Sequence, residues 1–304
     1  MDRHSDVFVI GGGIIGLASA YYLAQEGKGV RLVEQDSIGA GASYGNCGLI
    51  FTSHLIPLCV PGAIRQEIKR MFRRTSPLYV SLAPDIKRFM WFLNFAGKCN
   101  PGHMAHAIRA REKILQNSKS LFETLFREEQ LECDWEEKGV LLVFKTQTEM
   151  QKYVQTNDRL KPFGFDAVPL VGAELLSLEP ALRKVVATPW ESGFRLGGTM
   201  EFSGVNSNIR AGRIQNLKSV AGEYLKEPIG GPVIEEWVGM RPMVYDDLPI
   251  IGRPPNQRNL VIATGHGMSG ISMATSTGKL VSEIIAGCEP HMDPTAFGVD
   301  RFNT

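Results

Sequence analysis

A chain of 304 residues with 43% apolar and 21% charged side chains can bury a sizeable core, as one large domain or two. Its net charge of +1 gives no argument for a nucleic-acid partner, and its five cysteines (Cys47, Cys59, Cys99, Cys133 and Cys288) are too scattered for a disulfide framework or a zinc site, so they read as reduced thiols of a cytosolic chain. No run nears the ~18 apolar residues that suggest a membrane span, and the N-terminal apolar run is too short for a signal peptide.

Val7-Phe8-Val9-Ile10 leads straight into Gly11-Gly12-Gly13-Ile14-Ile15-Gly16. Leu17, Ala20, Tyr21, Leu23 and Ala24 then recur at helical spacing, and Val30 to Val33 is a second apolar run that ends in Glu34. Strand, glycine turn, helix, strand and acid follow one another as in a dinucleotide-binding βαβ unit. Gly11 would allow the tight turn, Gly13 the approach of a pyrophosphate, and Gly16 the close packing of helix on strand. The free N–H groups and positive dipole end of the helix would face the phosphates. Glu34 follows Gly16 by 18 residues, near the ~20 expected of a ribose ligand, and a carboxylate there favours FAD or NAD over NADP. The small residues of Gly39 to Gly48 let backbone pass close to a flat or phosphorylated group; a flexible loop is the plainer alternative, and directly after a dinucleotide fold the ligand reading is favoured.

Residues 51 to 135 differ in character, with helical patterns punctuated by prolines 57, 61, 77, 84 and 101. Ile64 to Arg74 reads as a basic amphipathic helix, suited to an anionic lipid surface or to the solvated side of a cap domain. His103 and His106 share a helix face without an acidic or thiol partner nearby, and we read them as surface residues, not metal ligands. The spacing predicts a long helix over 103–129, a strand over 140–144, helices over 148–163 and 209–225, and two strands around the turn Trp190-Glu191-Ser192. Near the C-terminus, the strand Asn259 to Thr264 feeds Gly265-His266-Gly267-Met268-Ser269-Gly270 and then a helix over 271–286, a second glycine turn able to present N–H groups to a bound ring.

Taken together, the chain resembles the FAD-dependent D-amino-acid oxidase superfamily, most of all its bacterial D-amino-acid dehydrogenase branch. The resemblance rests on Gly11–Gly16, Gly41–Gly48, Arg195–Gly204, Gly239-Met240-Arg241-Pro242, Leu248–Gly252 and Gly265–Gly270, in that order along the whole chain. It implies an α/β (overall α+β) architecture: a Rossmann-like FAD-binding domain built from both chain ends (1–50 and 236–304), and a helical cap with a reduced substrate domain (51–235).

The FAD contacts it implies are Gly11, Gly13, Ile14, Ile15, Gly16, Glu34 and Gln35 from the first unit. Ala42, Ser43, Asn46, Gly48 and Leu49 follow from the small-residue loop. Gly265, Gly267, Met268, Ser269 and Gly270 come from the second turn. Arg241 matches an arginine that binds the substrate carboxylate in related oxidases. His266 either shapes the polar edge of the ring or packs. The resemblance further implies an amino-acid substrate, an electron acceptor with quinone among the candidates, and a cytoplasmic location, with peripheral contact at the inner face of the plasma membrane and self-association left open. A non-catalytic flavin-binding remnant and an NAD-dependent dehydrogenase are the alternatives.

One departure stands out. Between Glu179-Pro180-Ala181-Leu182 and Thr188-Pro189, family members carry a long additional stretch, whereas here Arg183-Lys184-Val185-Val186-Ala187 joins the two sides directly. Such a join should leave neighbouring strands without edge partners.

Overall fold

A computed structural model describes residues 5–65, 78–81, 83–133, 135–171, 173–178, 188–190, 193–225 and 232–302. The join at 183–187 lies outside them, as does the expected basic helix from residue 66 onward. Contacts divide the chain into two units: Met1–Lys69, Leu82–Glu132 and Gly239–Thr304 form the first, Arg70–Ser81 and Cys133–Val238 the second.

In the first unit, β1 (Val7–Ile10) runs parallel to β2 (Val30–Val33), with α1 (Ile14–Gln25) as the connecting helix. The pleat sends Val7, Val9, Val30 and Leu32 toward the covered side and Phe8, Ile10, Arg31 and Val33 outward. That outer face is open: Phe8 is 58%, Ile10 88% and Val33 49% exposed. Phe8 sits opposite Arg31 and Ile10 opposite Val33, so the exposed apolar groups are contiguous.

Helix α2 (Ile86–Lys98) starts at Asp85, whose carboxylate accepts from the Lys87 and Arg88 N–H groups. Helix α3 (Pro101–Glu129) has Asn100 as its cap and proline at its first position, where a missing N–H costs nothing. It buries Ala107, Ile108, Ala110, Arg111, Ile114, Leu115, Ser118 and Phe122, a stripe at helical period. The stripe faces α7 (Ala274–Ala286), where Thr275 Oγ1 donates to the Ser118 carbonyl. Helix α7 also packs on α1. A Cβ at Gly278 would lie 2.5 Å from the Ala18 carbonyl carbon, so only glycine allows this crossing. Through it, the helices following the two glycine turns lie side by side. Strands β7 (Ile250–Gly252) and β8 (Ile262–Thr264) are antiparallel and lead into the second turn. Residues 86–98 and 101–129 belong to the same contact unit as both turns. The buried stripe of α3 packs that helix there.

The second unit pairs β3 (Leu78–Val80) in parallel with β6 (Met200–Phe202) and β4 (Thr188–Trp190) antiparallel with β5 (Gly193–Arg195). Its helices are α4 (Gln147–Asn157), α5 (Ala173–Leu178) and α6 (Ala211–Gly222). Pro162 lies within a 3₁₀ segment, Asp158–Phe163, that ends the predicted 148–163 helix early. Residues 140–144, predicted as a strand, join no ladder; an apolar β-prone run needs a neighbour to pair with. Among the described residues the buried side chains of this unit are Asn157, Leu160, Ala221 and Leu225, a thin core.

No described helix is long and apolar enough to cross a membrane.

Candidate functional site

The first glycine turn closes tightly. A Cβ at Gly16 would run into the Gly11 carbonyl oxygen, so the helix can start this close to β1 only with glycine there. Gly13 caps α1 without a side-chain hydrogen bond, and no acidic residue stands in the first turn to repel an anion. The Ile14 N–H donates to Ser43 Oγ at 2.8 Å. That bond draws the small-residue loop against the helix N-terminus. Asn46 Nδ2 donates to the Ser43 carbonyl, and Asn46 Oδ1 accepts from the Gly48 N–H at 2.6 Å. The structure therefore gathers Gly13, Ile14, Ser43, Asn46 and Gly48 at one place.

Glu34 follows β2 with its carboxylate open to solvent while accepting from the Gly12 N–H at 2.5 Å and the Gln35 N–H at 2.8 Å. Those N–H bonds, Gly12 first, then Asp36 and Gln35, hold it below the usual carboxylate range. An ionised carboxylate with a lone pair to spare, beside a tight glycine turn and a helix end whose Gly13 cap carries no side chain, fits the adenosine half of FAD. Glu34→Ala should weaken FAD binding about 10- to 100-fold, the worth of a charge-assisted hydrogen bond. Equilibrium dialysis against free FAD measures it, and unchanged retention would count against the dinucleotide reading.

The second turn is tied to the same region. Phe51 N–H donates to Ser272 Oγ at 3.0 Å, and that hydroxyl donates to the Leu49 carbonyl at 3.2 Å. The chain leaving the small-residue loop is thus stitched to the start of α7, just beyond Gly270. The Gly267 N–H donates to the Pro242 carbonyl at 3.0 Å, and Met243 bridges His266 antiparallel. These contacts bring Arg241 beside the Gly265–Gly270 turn. Arg241 is exposed, and no described residue hydrogen-bonds its guanidinium. Desolvation draws its pKa below the ordinary arginine value, with Cys47 nearby opposing the shift. The group stays charged at any working pH. An unpaired cation beside a glycine turn can receive a carboxylate.

The His266 side chain is buried and shares a hydrogen bond of 3.0 Å with Thr277 Oγ1 of α7. Burial pulls its pKa to about 4, so it is neutral at pH 7 and engaged in packing. Met268 is exposed on the same turn and Ser269 is buried. His103 Nε2 donates to the Asp246 carbonyl at 2.8 Å. The five cysteines are free, and burial, followed by the charge of Asp247, pushes the Cys59 thiol up to about 12.

Four residues behind the turn escaped the sequence reading: His54, Arg111, Asp247 and Arg301. Arg301 donates to both Asp246 oxygens, at 2.8 and 3.3 Å, and to the Leu248 carbonyl. Arg111 donates to Asp247 Oδ2 at 2.9 Å and to Ser269 Oγ at 2.9 Å. The Asp246-Asp247 pair is therefore two separate carboxylates, each met by its own arginine.

Residues 6–187 and 182–284 match the family model described as DAO, FAD dependent oxidoreductase. Among solved structures, the glycine oxidase of Geobacillus kaustophilus matches with a TM-score of 0.66 at 16% identity, covering 98% of each chain. The iminodiacetate oxidase of a Chelativorans species matches at 0.60 and 15%, covering 96% of this chain and 98% of that one. The L-amino acid deaminase of Proteus vulgaris, with its specific insertion deleted, matches at 0.59 and 14%, covering 99% and 95%. At these identities the likeness concerns the fold, a mixed helix-and-strand architecture of the FAD-binding type expected from the sequence. An NAD-dependent dehydrogenase, the alternative kept open above, is set aside because the matched family uses FAD.

Proposed function

The chain belongs to the DAO family of FAD-dependent oxidoreductases, and from that premise we propose that it oxidises an amino acid, of D configuration, to the imino acid. Water then hydrolyses the imino acid to a 2-oxo acid and ammonia. The observation that carries this reading is the unpaired Arg241 beside the Gly265–Gly270 turn. The solved structures of similar fold are named for glycine, iminodiacetate and L-amino acids. All three substrates place an amine one carbon from a carboxylate. The D preference rests on the motif resemblance to the bacterial dehydrogenase branch, which also supports a quinone-type acceptor.

FAD, when bound, supplies the two-electron acceptor for the hydride leaving Cα. The protein residues supply position and charge. Glu34 would hold the ribose, and the Gly13–Gly16 helix start with Ser43 would hold the pyrophosphate. Arg241 would take the substrate carboxylate in a bidentate grip, a geometry that guanidinium offers and ammonium does not. With the carboxylate held, the substrate's remaining freedom would be rotation about its Cα–carboxyl bond. Neutral His266 would stiffen the turn from behind. No side chain here is assigned as general base, since an amine arriving neutral needs none.

Anaerobic mixing with D- and L-amino acids, read as bleaching of the visible flavin band, tests the reading. Bleaching by neither would argue against it. Arg241→Lys should raise KM by about 10- to 100-fold, the loss of a charge-assisted bidentate contact, with bound FAD unchanged. An active enzyme whose KM ignored that change would remove Arg241 from the site.

A second reading is a flavin-binding remnant that has lost turnover. The open apolar face of Phe8, Ile10 and Val33 favours it. So does the overlap of the two family-matched segments at 182–187, where the sequence joins directly. A flavin band that no amino acid bleaches would support it.

A further inference from the structure

We propose that Arg111 is a positioning residue for the flavin: its guanidinium fixes Ser269 and the 51–58 segment, and so holds the Gly265–Gly270 turn in the conformation that receives the ring. The proposal rests on the reading of that turn as the flavin contact.

Arg111 lies mid-way along α3 and is 2% exposed. Its Nε donates to the His54 carbonyl at 3.2 Å. Nη1 donates to the Asp247 carbonyl at 3.0 Å and to Asp247 Oδ2 at 2.9 Å. Nη2 reaches the His54 carbonyl at 3.1 Å, His54 Nδ1 at 3.3 Å and Ser269 Oγ at 2.9 Å. One planar fork thus holds three chain segments that are far apart in sequence. Each of those segments touches the candidate site. His54 stacks on Phe51, whose N–H is stitched to Ser272. Asp247 Oδ2 also accepts from the Leu58 N–H at 2.9 Å, and its carboxylate lies against Gly267. Ser269 belongs to the turn itself.

Geometry alone would not require a charge here. A buried ion pair carries a heavy desolvation cost, and apolar replacements of similar volume often hold a fold as well or better. What the guanidinium adds is direction, since its donors lie in fixed positions. Asp247 sits at φ 56°, a left-handed conformation uncommon for aspartate, and the Arg111 bonds hold its carboxylate there. His54 must be neutral for Nδ1 to accept, in keeping with the low pKa that burial and Arg111 impose on it.

The test uses the full chain and the double variant Arg111→Met/Asp247→Asn. Removing the arginine alone would strand a buried carboxylate and could unfold the protein. Asparagine is neutral, tolerates the left-handed backbone and can still accept from Leu58. The expected result is an apoprotein that melts within a few degrees of wild type. Its Kd for FAD rises at least tenfold, hydrogen-exchange protection of the Phe51 and Gly267 to Met273 amides falls, and the bound flavin's visible band shifts. Arg111→Lys should recover part of the affinity. A double variant with wild-type FAD affinity and wild-type protection, or one losing only melting temperature, overturns the proposal. A wild-type chain that takes up no FAD overturns the flavin reading and the proposal together. Uptake by wild type and variant alike overturns the proposal alone.

Discussion

Acidification from pH 7 to 4 should cost this chain about 6 kcal/mol of stability, a large share of a folded protein's margin. The cause is a pair of buried neutral histidines. His266 and His54 each have a folded-state pKa of about 4, lowered chiefly by burial, with Arg111 adding to it at His54. In the unfolded chain both return to about 6.5. As pH falls below 6.5 the unfolded chain takes up protons that the folded chain refuses, so the equilibrium moves toward unfolding until about pH 4. Each histidine contributes about 3 kcal/mol over that window, against a total margin of roughly 5–15 kcal/mol. Asp247 works the other way. Burial raises its folded-state pKa, though Arg111 opposes the shift, so the folded form takes up a proton earlier and offsets some of the loss. Urea titrations at half-unit steps from pH 7.5 to 4 measure the slope of stability with pH. His266→Asn, with Thr277 still available as a partner, should remove close to half of it. An unaltered slope would mean that His266 is not buried as described.

Local chemistry was legible in the sequence because it is written locally. Gly11 to Glu34 and Gly265 to Gly270 each announce a strand, a turn and a helix within thirty residues or so, and periodicity alone placed α1, α3 and α7. The Arg111 cluster was not legible. Its partners His54, Asp247 and Ser269 lie 57, 136 and 158 residues away, and no spacing rule links residues that meet only through tertiary packing. A signal was present all the same. Arg111 stands four residues from Ala107 and from Leu115 on an apolar helix stripe, where an arginine must be buried with partners or pointed away. The aspartates 246 and 247 looked like turn residues, which they are, but their charges serve two arginines. Residues 140–144 show the opposite error. Val140-Leu141-Leu142-Val143-Phe144 has the composition of a strand, yet among the described residues it joins no ladder.

Inserting a family-like segment between Leu182 and Thr188 should raise the melting temperature by about 10 °C and bring flavin occupancy up with it. The expectation starts from β1 and β2, a sheet of two strands whose outer face leaves Phe8, Ile10 and Val33 largely in water. An isolated strand pair is marginal on its own, and this one has α1 packed on its covered side. At about 25 cal/mol per Å², burying roughly 300 Å² of apolar surface is worth about 7 kcal/mol. That is comparable with the whole margin of a folded protein, and for a large domain each kcal/mol moves the melting temperature by about 2 °C or a little more. The inserted segment pays its own ordering entropy, which keeps the rise nearer 10 °C than 15 °C. Thermal melts and flavin absorbance of the two chains, side by side, give both readouts. A second copy of the chain covering the same face would deliver part of the benefit. Sedimentation across a range of concentrations therefore belongs with the melts. If the 304-residue chain proves to be a stable, flavin-saturated monomer that oxidises amino acids, the open face is tolerated, and Arg183 to Ala187 is a working shortcut through the fold.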